Sequence, residues 1–246
     1  GRDSRPHISI ITNFGAPSAD KPALLNFYEV NTLFHEFGHA LHGMLARTRY
    51  PGLSGTNVYW DFVELPSQVM ENWTYEPQVL AMIARHYRTG ETLPEAMVDK
   101  LRESRRFLEG MATLRQLGFG YLDMAWHHRM KEPPRDLEAF EREVFEPVRM
   151  VPPVEGTLMS TQFGHLFAGG YAAGYYSYKW SELLDADAFS IFRKNGIFDK
   201  ETARRFRRLL EQGGTRHPMK LYIEFAGRPP EIDALIQRAG FKKSAE

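Results

Sequence analysis

Two histidines stand four residues apart in the segment "TLFHEFGHALHGML", residues 32–45, with a glutamate next to the first. On a helix, residues i and i+4 lie about 6 Å apart along the axis and point the same way, so His35 and His39 can reach one ion. Glu36 then lies beside that ion, where a carboxylate can accept a proton from water. The spacing predicts a metal-dependent hydrolytic site, although two structural histidines would give the same short pattern.

A catalytic zinc needs a third protein ligand and one open coordination position. The later segment "DFVELPSQVMENW" supplies Glu64, two residues before Pro66. Proline fits the first turn of a helix, so Glu64 should lie at the positively polarised helix N-terminus, which favours its ionised form. We therefore predict Glu64 as the third ligand. Hydrogen-bond partners for the two histidines are expected among Glu29, Gln68 and Glu71.

A third histidine follows on the same helix. The extended zinc motif of the metzincins would need glycine at position 42 and histidine at position 45, but His42 and Leu45 stand there. A third ligand from the same short helix would also crowd the ion. We therefore expect His42 to be a hydrogen-bonded structural residue.

The segment "FGHLFAGGYAAGYYSYKW", residues 163–180, combines tyrosines with glycines. Its phenols could be a core stripe on a helix, since Tyr171, Tyr175 and Tyr178 follow at i, i+4 and i+7. Each interior glycine, however, weakens a helix by about 1 kcal/mol relative to alanine. The composition therefore favours a loop that carries phenols and His165 and binds peptide, in which the phenol O–H groups can donate to the oxyanion of amide hydrolysis.

The composition limits the possible chemistry. The 246 residues carry 31 basic and 31 acidic side chains, so no strong field favours nucleic acid or an anionic membrane. The basic clusters at 102–106 and 204–208 are interpreted as solvated helix faces. Without cysteine, any metal must be held by histidines and carboxylates. Since no apolar run of 18 residues occurs, we expect no membrane span.

The first part of the chain predicts a strand and a helix. Residues 7–14 are rich in β-branched and apolar types and predict a strand, and the turn-rich segment "LSGTNVYWDF" is a candidate for a second, short strand. Apolar residues at helical spacing from Val30 to Leu45 predict the helix that carries the histidines. The chain is expected to become helical again from about Asp61.

The remainder predicts helices. Thr92 and Glu95 have capping-box spacing, which predicts a long helix towards Met130, bent or divided at Gly118 and Gly120. Shorter helices are predicted over 136–148, 180–194, 199–212, 218–226 and 231–239, the last four followed by Gly196, Gly213, Gly227 and Gly240. We therefore expect a mainly α protein with a small β-sheet.

Taken together, these segments resemble the thimet oligopeptidase family of zinc metallopeptidases, and most of all its oligopeptidase A and peptidyl-dipeptidase branch. The resemblance rests on "TLFHEFGHALHGML", "SGTNVYWDFVELPSQVMENW" and "FGHLFAGGYAAGYYSYKWSELLDADAF", with weaker support from "NGIFDKETARRF" and "PPEIDAL". It implies one mainly α, zincin-like (gluzincin) catalytic domain over residues 1–246, with a small β-sheet near the active site. It also implies a cytoplasmic location.

The resemblance assigns roles to single residues. It implies one zinc ion bound by His35, His39 and Glu64, with Glu36 as the general base for water. The tyrosine loop would supply both catalytic and substrate-binding groups. The catalytic ones are Tyr171, Tyr178 and His165, and the substrate-binding ones are Tyr175, Gly169 and Gly170.

The expected function is zinc-dependent hydrolysis of peptide bonds in short oligopeptides. Family members usually carry a much longer segment before the zinc motif, so the chain resembles the catalytic C-terminal part, and the N-terminal part of the parent chain is an expected partner. Two alternatives stay open. One is a peptidyl-dipeptidase that releases C-terminal dipeptides, and the other is a non-catalytic helical module that binds peptide.

Overall fold

The structure, a computed structural model, describes residues 4–241. These residues form α-helices joined by turns and short 3-10 segments. The helices are α1 (Phe27–Leu45), α2 (Trp60–Val63), α3 (Leu65–Glu71), α4 (Pro77–Ile83), α5 (Glu95–Ser104), α6 (Glu109–Met124), α7 (Leu137–Phe145), α8 (Ser177–Asn195), α9 (Lys200–Glu211), α10 (Pro218–Ala226) and α11 (Asp233–Arg238).

Helix α1 confirms the prediction from apolar spacing. Its N-cap is Asn26, whose side chain accepts a hydrogen bond from the Glu29 amide at 2.9 Å. The Glu29 carboxylate accepts one in return from the Asn26 amide at 2.8 Å, which completes a capping box. Glu29 therefore fixes the start of α1 rather than supporting a metal-binding histidine.

The predicted strands do not form. Residues 7–14 and the "LSGTNVYWDF" segment contain no strand, and the only β pairing within residues 4–241 is an isolated bridge between Arg85 and Thr92. A β-strand is stabilised by a neighbouring strand, and β-branched composition alone does not supply one. The architecture is mainly α, as predicted, but the small sheet is absent from the described residues.

The prediction of one long helix from Thr92 towards Met130 was wrong in two respects. Helix α5 has Pro94 as its N-cap without a side-chain hydrogen bond, so the Thr92–Glu95 capping box does not form. The chain then breaks between α5 and α6, where Leu108 has a left-handed φ of 55°, and not at Gly118 or Gly120. The end of α6 passes into a π-helical turn, Ala125–Arg129.

The predicted C-terminal helices are confirmed as α8 to α11, within a few residues at each end. Gly196 and Gly227 have φ values of 110° and 79°, a region that favours glycine, so they end α8 and α10 as expected. Asp199 caps α9 by accepting a hydrogen bond from the Thr202 amide at 2.7 Å. No helix within residues 4–241 combines the length and apolar character that a membrane span requires.

The chain forms two compact units. Unit 1 is the described part of Gly1–Arg106 and Ser181–Glu246, and unit 2 is Phe107–Trp180. The core of unit 1 packs α3 against α8, α9 and α10 through Leu65, Val69, Phe189, Leu210 and Tyr222, among others. Unit 2 has a smaller core around Leu122, Ala125, Val144 and Leu166. The candidate metal ligands lie in unit 1 and the tyrosine loop in unit 2.

Candidate metal centre and tyrosine loop

The three predicted metal ligands converge in unit 1. His35 Nε2 lies 3.4 Å from Glu64 Oε2, and His39 Nε2 lies 3.2 Å from the same oxygen. One donor atom from each of the three residues lies within 4.8 Å of the others. The two histidines come from successive turns of α1, and Glu64 is the residue before α3. The structure therefore places Glu64 next to His35 and His39, as the sequence predicted.

This donor set fits a zinc ion. Two ligand atoms about 2.0–2.1 Å from a tetrahedral zinc lie about 3.3 Å apart, which is close to both nitrogen–oxygen separations in the trio. Two imidazole nitrogens and one carboxylate are also a known ligand set of catalytic zinc sites. His35, His39 and Glu64 would thus hold the metal and leave a fourth position open.

A hydrogen-bonded chain fixes the orientation of His35. Its Nδ1 lies 2.7 Å from Glu71 Oε1, so a proton on Nδ1 directs the Nε2 lone pair towards Glu64. The other oxygen of Glu71 accepts a hydrogen bond from Asn31 Nδ2 at 3.0 Å. Asn31 in turn accepts one from the Thr74 hydroxyl at 2.9 Å. Among the expected partners, Glu71 thus supports a ligand, whereas a role for Gln68 stays a prediction.

Glu64 is buried, and its side chain accepts a hydrogen bond from a residue of the helix that follows it. The residue is 4% exposed, and its Oε2 accepts a hydrogen bond from the Ser67 hydroxyl at 3.0 Å. Pro66 lies in the first turn of α3, so the carboxylate stands at the helix N-terminus, as predicted. The Ser67 hydroxyl and the helix N-terminus thus both place a positively polarised group near the carboxylate.

The electrostatic environment favours a cation. Burial alone would lower the pKa of His35, but the hydrogen bond to Glu71 and the charges of Glu71, Glu64 and Glu36 raise it above its usual value. Glu36 follows His35 on α1 and is partly buried. The charges of three carboxylates therefore act on the His35 imidazole, and this excess of negative charge favours a bound cation.

Gly38 allows helix α1 and the start of α3 to approach each other closely. A Cβ atom added to Gly38 would lie 2.5 Å from the Pro66 carbonyl oxygen and 2.5 Å from Ser67 Cα. Both atoms belong to the backbone of α3, so no side-chain movement could relieve the contact. The glycine between Glu36 and His39 therefore allows the start of α3 to lie against α1, which brings Glu64 within reach of the histidines.

His42 differs from the prediction. It is fully buried, as expected of a structural residue, but neither ring nitrogen has a hydrogen-bond partner among residues 4–241. Burial, and next the nearby His39, lower the pKa of His42 to about 4. His42 is therefore a neutral core residue near neutral pH. In the described part of the chain, His39 Nδ1 also lacks a partner.

The tyrosine segment forms a loop in unit 2, as its glycines predicted. Helix α8 starts only at Ser177, and Gly169 and Gly170 have φ values of 78° and 81°. The rings of Tyr171 and Tyr178 stack with centroids 5.1 Å apart. The ring of His165 lies 5.3 Å from Tyr171 and 5.9 Å from Tyr178, measured between centroids. Two phenols, one from the loop and one from the first turn of α8, therefore lie beside one imidazole.

Tyr175 lies deeper than the other two tyrosines. It is 8% exposed, its hydroxyl donates a hydrogen bond to Gln116 Oε1 at 3.3 Å, and its ring packs on Phe119 and Phe163. Burial raises its pKa, against the smaller effects of Gln116 and Arg115. A substrate-binding role for Tyr175 stays a prediction.

Sequence reasoning missed the residue that anchors this loop. Asp123, on α6, is 1% exposed and accepts hydrogen bonds from the amides of Ala173 and Tyr175, both at 2.9 Å. Its Oδ1 also lies 2.8 Å from Nδ1 of His127, in the π-helical turn. Ala173 has a left-handed φ of 56°, which costs about 1–2 kcal/mol for a residue with a Cβ atom. The buried carboxylate therefore holds the loop in a strained conformation.

The missed residues leave faint signals in the sequence. Gly38 interrupts an apolar helix pattern, and Asp123 is a lone charge in the apolar run "GFGYLDMAW". Each of the two residues departs from the apolar pattern of its own helix, and such a departure indicates a contact with a distant part of the chain. Neither pattern says which distant segment provides the contact.

Comparison with known proteins settles the family. The model described as "Peptidase family M3" matches residues 2–241, nearly the whole chain. The chain belongs to peptidase family M3. The resemblance inferred from the three motif segments is therefore confirmed, and the M3 assignment covers the metal trio and the tyrosine loop alike.

Among the relatives in family M3 are proteins that bear two kinds of name, oligopeptidase A and dipeptidyl carboxypeptidase. The chain is 45% identical to oligopeptidase A from Escherichia coli, over 98% of this chain and 36% of that relative. It is 45% identical to an organellar oligopeptidase A from Arabidopsis thaliana, and 40% identical to a dipeptidyl carboxypeptidase from Escherichia coli. The chain spans about a third of the length of these relatives.

Proposed function

We propose that this M3 chain is a zinc metallopeptidase that hydrolyses peptide bonds in short oligopeptides. The single observation that carries the proposal is the convergence of His35, His39 and Glu64, with donor atoms within 4.8 Å of one another. Family membership supports peptidase chemistry, since the relatives bear the names oligopeptidase A and dipeptidyl carboxypeptidase. We also propose that the whole chain is one catalytic domain of the zincin-like type.

Glu36 is the proposed general base. It is held on α1 between the two ligand histidines, partly buried, and close enough to His35 for its charge to raise the pKa of that ring. A bound zinc contributes Lewis acidity towards a water molecule and the scissile carbonyl. Glu36 accepts the proton of the attacking water and passes it to the departing amine.

The tyrosine loop is the proposed oxyanion and substrate site. Phenol groups of Tyr171 and Tyr178 donate hydrogen bonds to the developing oxyanion, and His165, whose ring contacts both, assists them. Gly169 and Gly170, without side chains, let the peptide backbone approach the loop, and Tyr175 binds substrate. The N-terminal part of a longer parent chain, which the family resemblance leads us to expect, is the proposed partner of these residues.

The compartment also belongs to the proposal. A cytoplasmic location is supported by one relative named probable cytosolic oligopeptidase A, which is 45% identical to this chain. Another relative at the same identity bears an organellar name. A fluorescent fusion of the parent chain, imaged beside organelle markers, tests this location, and organellar signal alone would contradict it.

The general base is tested by Glu36→Gln. This variant keeps all three ligands, so we expect near-stoichiometric zinc but a turnover of a fluorogenic peptide lowered by about 10²–10⁴-fold. Glu64→Gln should instead lose zinc. The exposed Glu201→Gln is the matched control and should retain both zinc and turnover. If Glu36→Gln with full zinc cleaves the peptide at the wild-type rate, Glu36 is not the base.

A second candidate function is release of C-terminal dipeptides, which the 40% identity to a dipeptidyl carboxypeptidase favours. Such an enzyme must recognise a free terminal carboxylate. Mass spectrometry of products from matched peptides with free and amidated C-termini separates the two activities. Cleavage of the free peptide alone indicates a peptidyl-dipeptidase, and equal cleavage of both indicates an endopeptidase. A chain that binds no zinc would favour the third alternative, a non-catalytic module.

A further inference from the structure

Unit 1 contains a cavity that the proposed peptidase site does not use. Its volume is about 330 Å³, and five arginines line it, namely Arg102, Arg105, Arg106, Arg193 and Arg238. The carboxylates of Asp99 and Glu103 also face it, so arginines outnumber acids in the lining. The cavity therefore carries an excess of positive charge.

The arginines differ in how their charge is balanced. Arg193 pairs with Glu76 at 2.9 Å, and Arg238 pairs with the buried Asp185. No carboxylate among residues 4–241 lies within ion-pair distance of the other three, which are Arg102, Arg105 and Arg106. These three come from the end of α5 and the turn that follows it, so their side chains reach one cavity at i, i+3 and i+4 spacing.

Arg105 is the most constrained of the three, in contrast to the solvated face predicted for this cluster. It is only partly exposed, donates a hydrogen bond to Asn72 Oδ1 at 3.0 Å, and lies 4.4 Å above the ring centroid of Tyr75. Burial, and next the charge of Arg238, lower its pKa to about 10. The charge of Asp185 opposes this lowering only in part, so a guanidinium whose direct partners are neutral is stabilised when an anion approaches it.

We propose that this cavity binds a small phosphate-bearing anion. Guanidinium groups match phosphate oxygens through paired hydrogen bonds, and three of them without carboxylate partners converge here. The volume is at the lower end of the range for small-molecule sites, which fits a compact anion. This site is independent of the proposed peptidase activity, because none of its lining residues is a metal ligand or belongs to the tyrosine loop.

Calorimetric titration with inorganic pyrophosphate at low ionic strength tests the proposal. We expect saturable binding at one site per chain. Arg102→Gln and Arg106→Gln, which change exposed side chains, should each weaken binding at least tenfold, and Glu103→Gln should tighten it. The matched control is Arg204→Gln, an exposed arginine of α9 that pairs with Glu201. Its Kd should stay within twofold of the wild-type value.

Two further titrations separate this cavity from other anion sites. His39→Ala removes a candidate metal ligand, and unchanged pyrophosphate binding in this variant places the anion away from the metal centre. Loss of binding in His39→Ala, an equal loss in Arg204→Gln, or no saturable binding at all would overturn the proposal. Citrate should bind at least tenfold more weakly than pyrophosphate, and equal affinity would contradict the assignment to phosphate.

Discussion

Single residues at the candidate metal centre combine two requirements, charge and orientation. Glu64 supplies a buried carboxylate at the start of α3, and Glu71 orients His35 through Nδ1. His42 stands one turn beyond His39 and has the opposite character, since it is buried without a partner for either ring nitrogen within residues 4–241. The histidines of helix α1 thus differ in hydrogen bonding because different residues surround each ring.

His42 should make folding sensitive to acid. Its pKa is lowered to about 4 in the folded chain, against about 6.5 in an unfolded chain. Between these values the unfolded chain binds a proton that the folded chain excludes, so the free energy of unfolding decreases as the pH falls. The loss should reach about 3 kcal/mol by pH 4.

Urea unfolding at pH 7 and pH 4.5, without added zinc, measures this effect. The difference in the free energy of unfolding between the two pH values should be smaller in His42→Leu, because the titrating group is gone. The exposed His128→Gln is the control and should keep the wild-type difference. An unchanged pH dependence in His42→Leu would show that His42 does not carry it.

At the scale of elements, two contacts decide the geometry of the candidate site. Helix α1 meets the start of α3 at Gly38, where no Cβ atom fits. Helix α6 holds the tyrosine loop through Asp123, a residue 50 positions before Ala173. In both cases a local element is positioned by a residue that takes no part in the proposed chemistry.

Gly38→Ala should separate α1 from α3. Because the added Cβ would overlap the backbone of Pro66 and Ser67, we expect a loss of about 1–3 kcal/mol in the free energy of unfolding. Zinc affinity should fall at least tenfold as Glu64 withdraws. Gly120→Ala is the matched control, since a Cβ there meets no atom within 4 Å. That variant should be neutral or slightly more stable, and equal behaviour of the two would refute the contact.

Asp123→Asn should loosen the tyrosine loop without affecting the metal. An amide keeps only one acceptor oxygen, so the amides of Ala173 and Tyr175 should exchange hydrogen faster. Turnover should fall about 10–100-fold at unchanged zinc content, because a misplaced oxyanion donor costs up to about 10³-fold. The exposed Glu138→Gln, in the same unit, is the control. Unchanged exchange at both amides in Asp123→Asn would rule out the anchoring role.

At the scale of the whole molecule, the two units carry different parts of the proposed chemistry. Unit 1 holds all three candidate metal ligands, and unit 2 holds the tyrosine loop. The ligands also join segments that are distant in the chain, so a metal that binds them stabilises the folded state relative to the unfolded one.

Zinc should therefore raise the stability of the chain against unfolding. At a free zinc concentration 100 times the Kd, the gain is about 2.7 kcal/mol. A chelator should reverse it, and both changes can be followed by thermal unfolding. Glu64→Gln should lose the response, while Glu224→Gln, an exposed acid of α10, should keep it. A zinc response that survives in Glu64→Gln would exclude Glu64 as a ligand.

The sequence by itself determined the features that depend on near neighbours. Four-residue spacing places His35 and His39 on one face of α1 because the helix repeats every 3.6 residues. Glycine content predicted that the tyrosine segment forms a loop, which the structure shows up to the start of α8 at Ser177, and glycines marked the ends of α8 and α10. The motifs also indicated the family correctly. All of these are local properties of the chain or patterns of residue identity.

Only the tertiary structure decided the contacts between distant segments. Residues 7–14 have strand-like composition but no partner strand among residues 4–241. The helical conformation is interrupted between α5 and α6, just after Arg105 and Arg106, which contact Asn72 and lie next to Gly240 respectively. The support of His35 by Glu71 and of the loop by Asp123 likewise depends on how helices pack. A side chain's partner across the fold is set by packing of the whole core, which local periodicity does not encode.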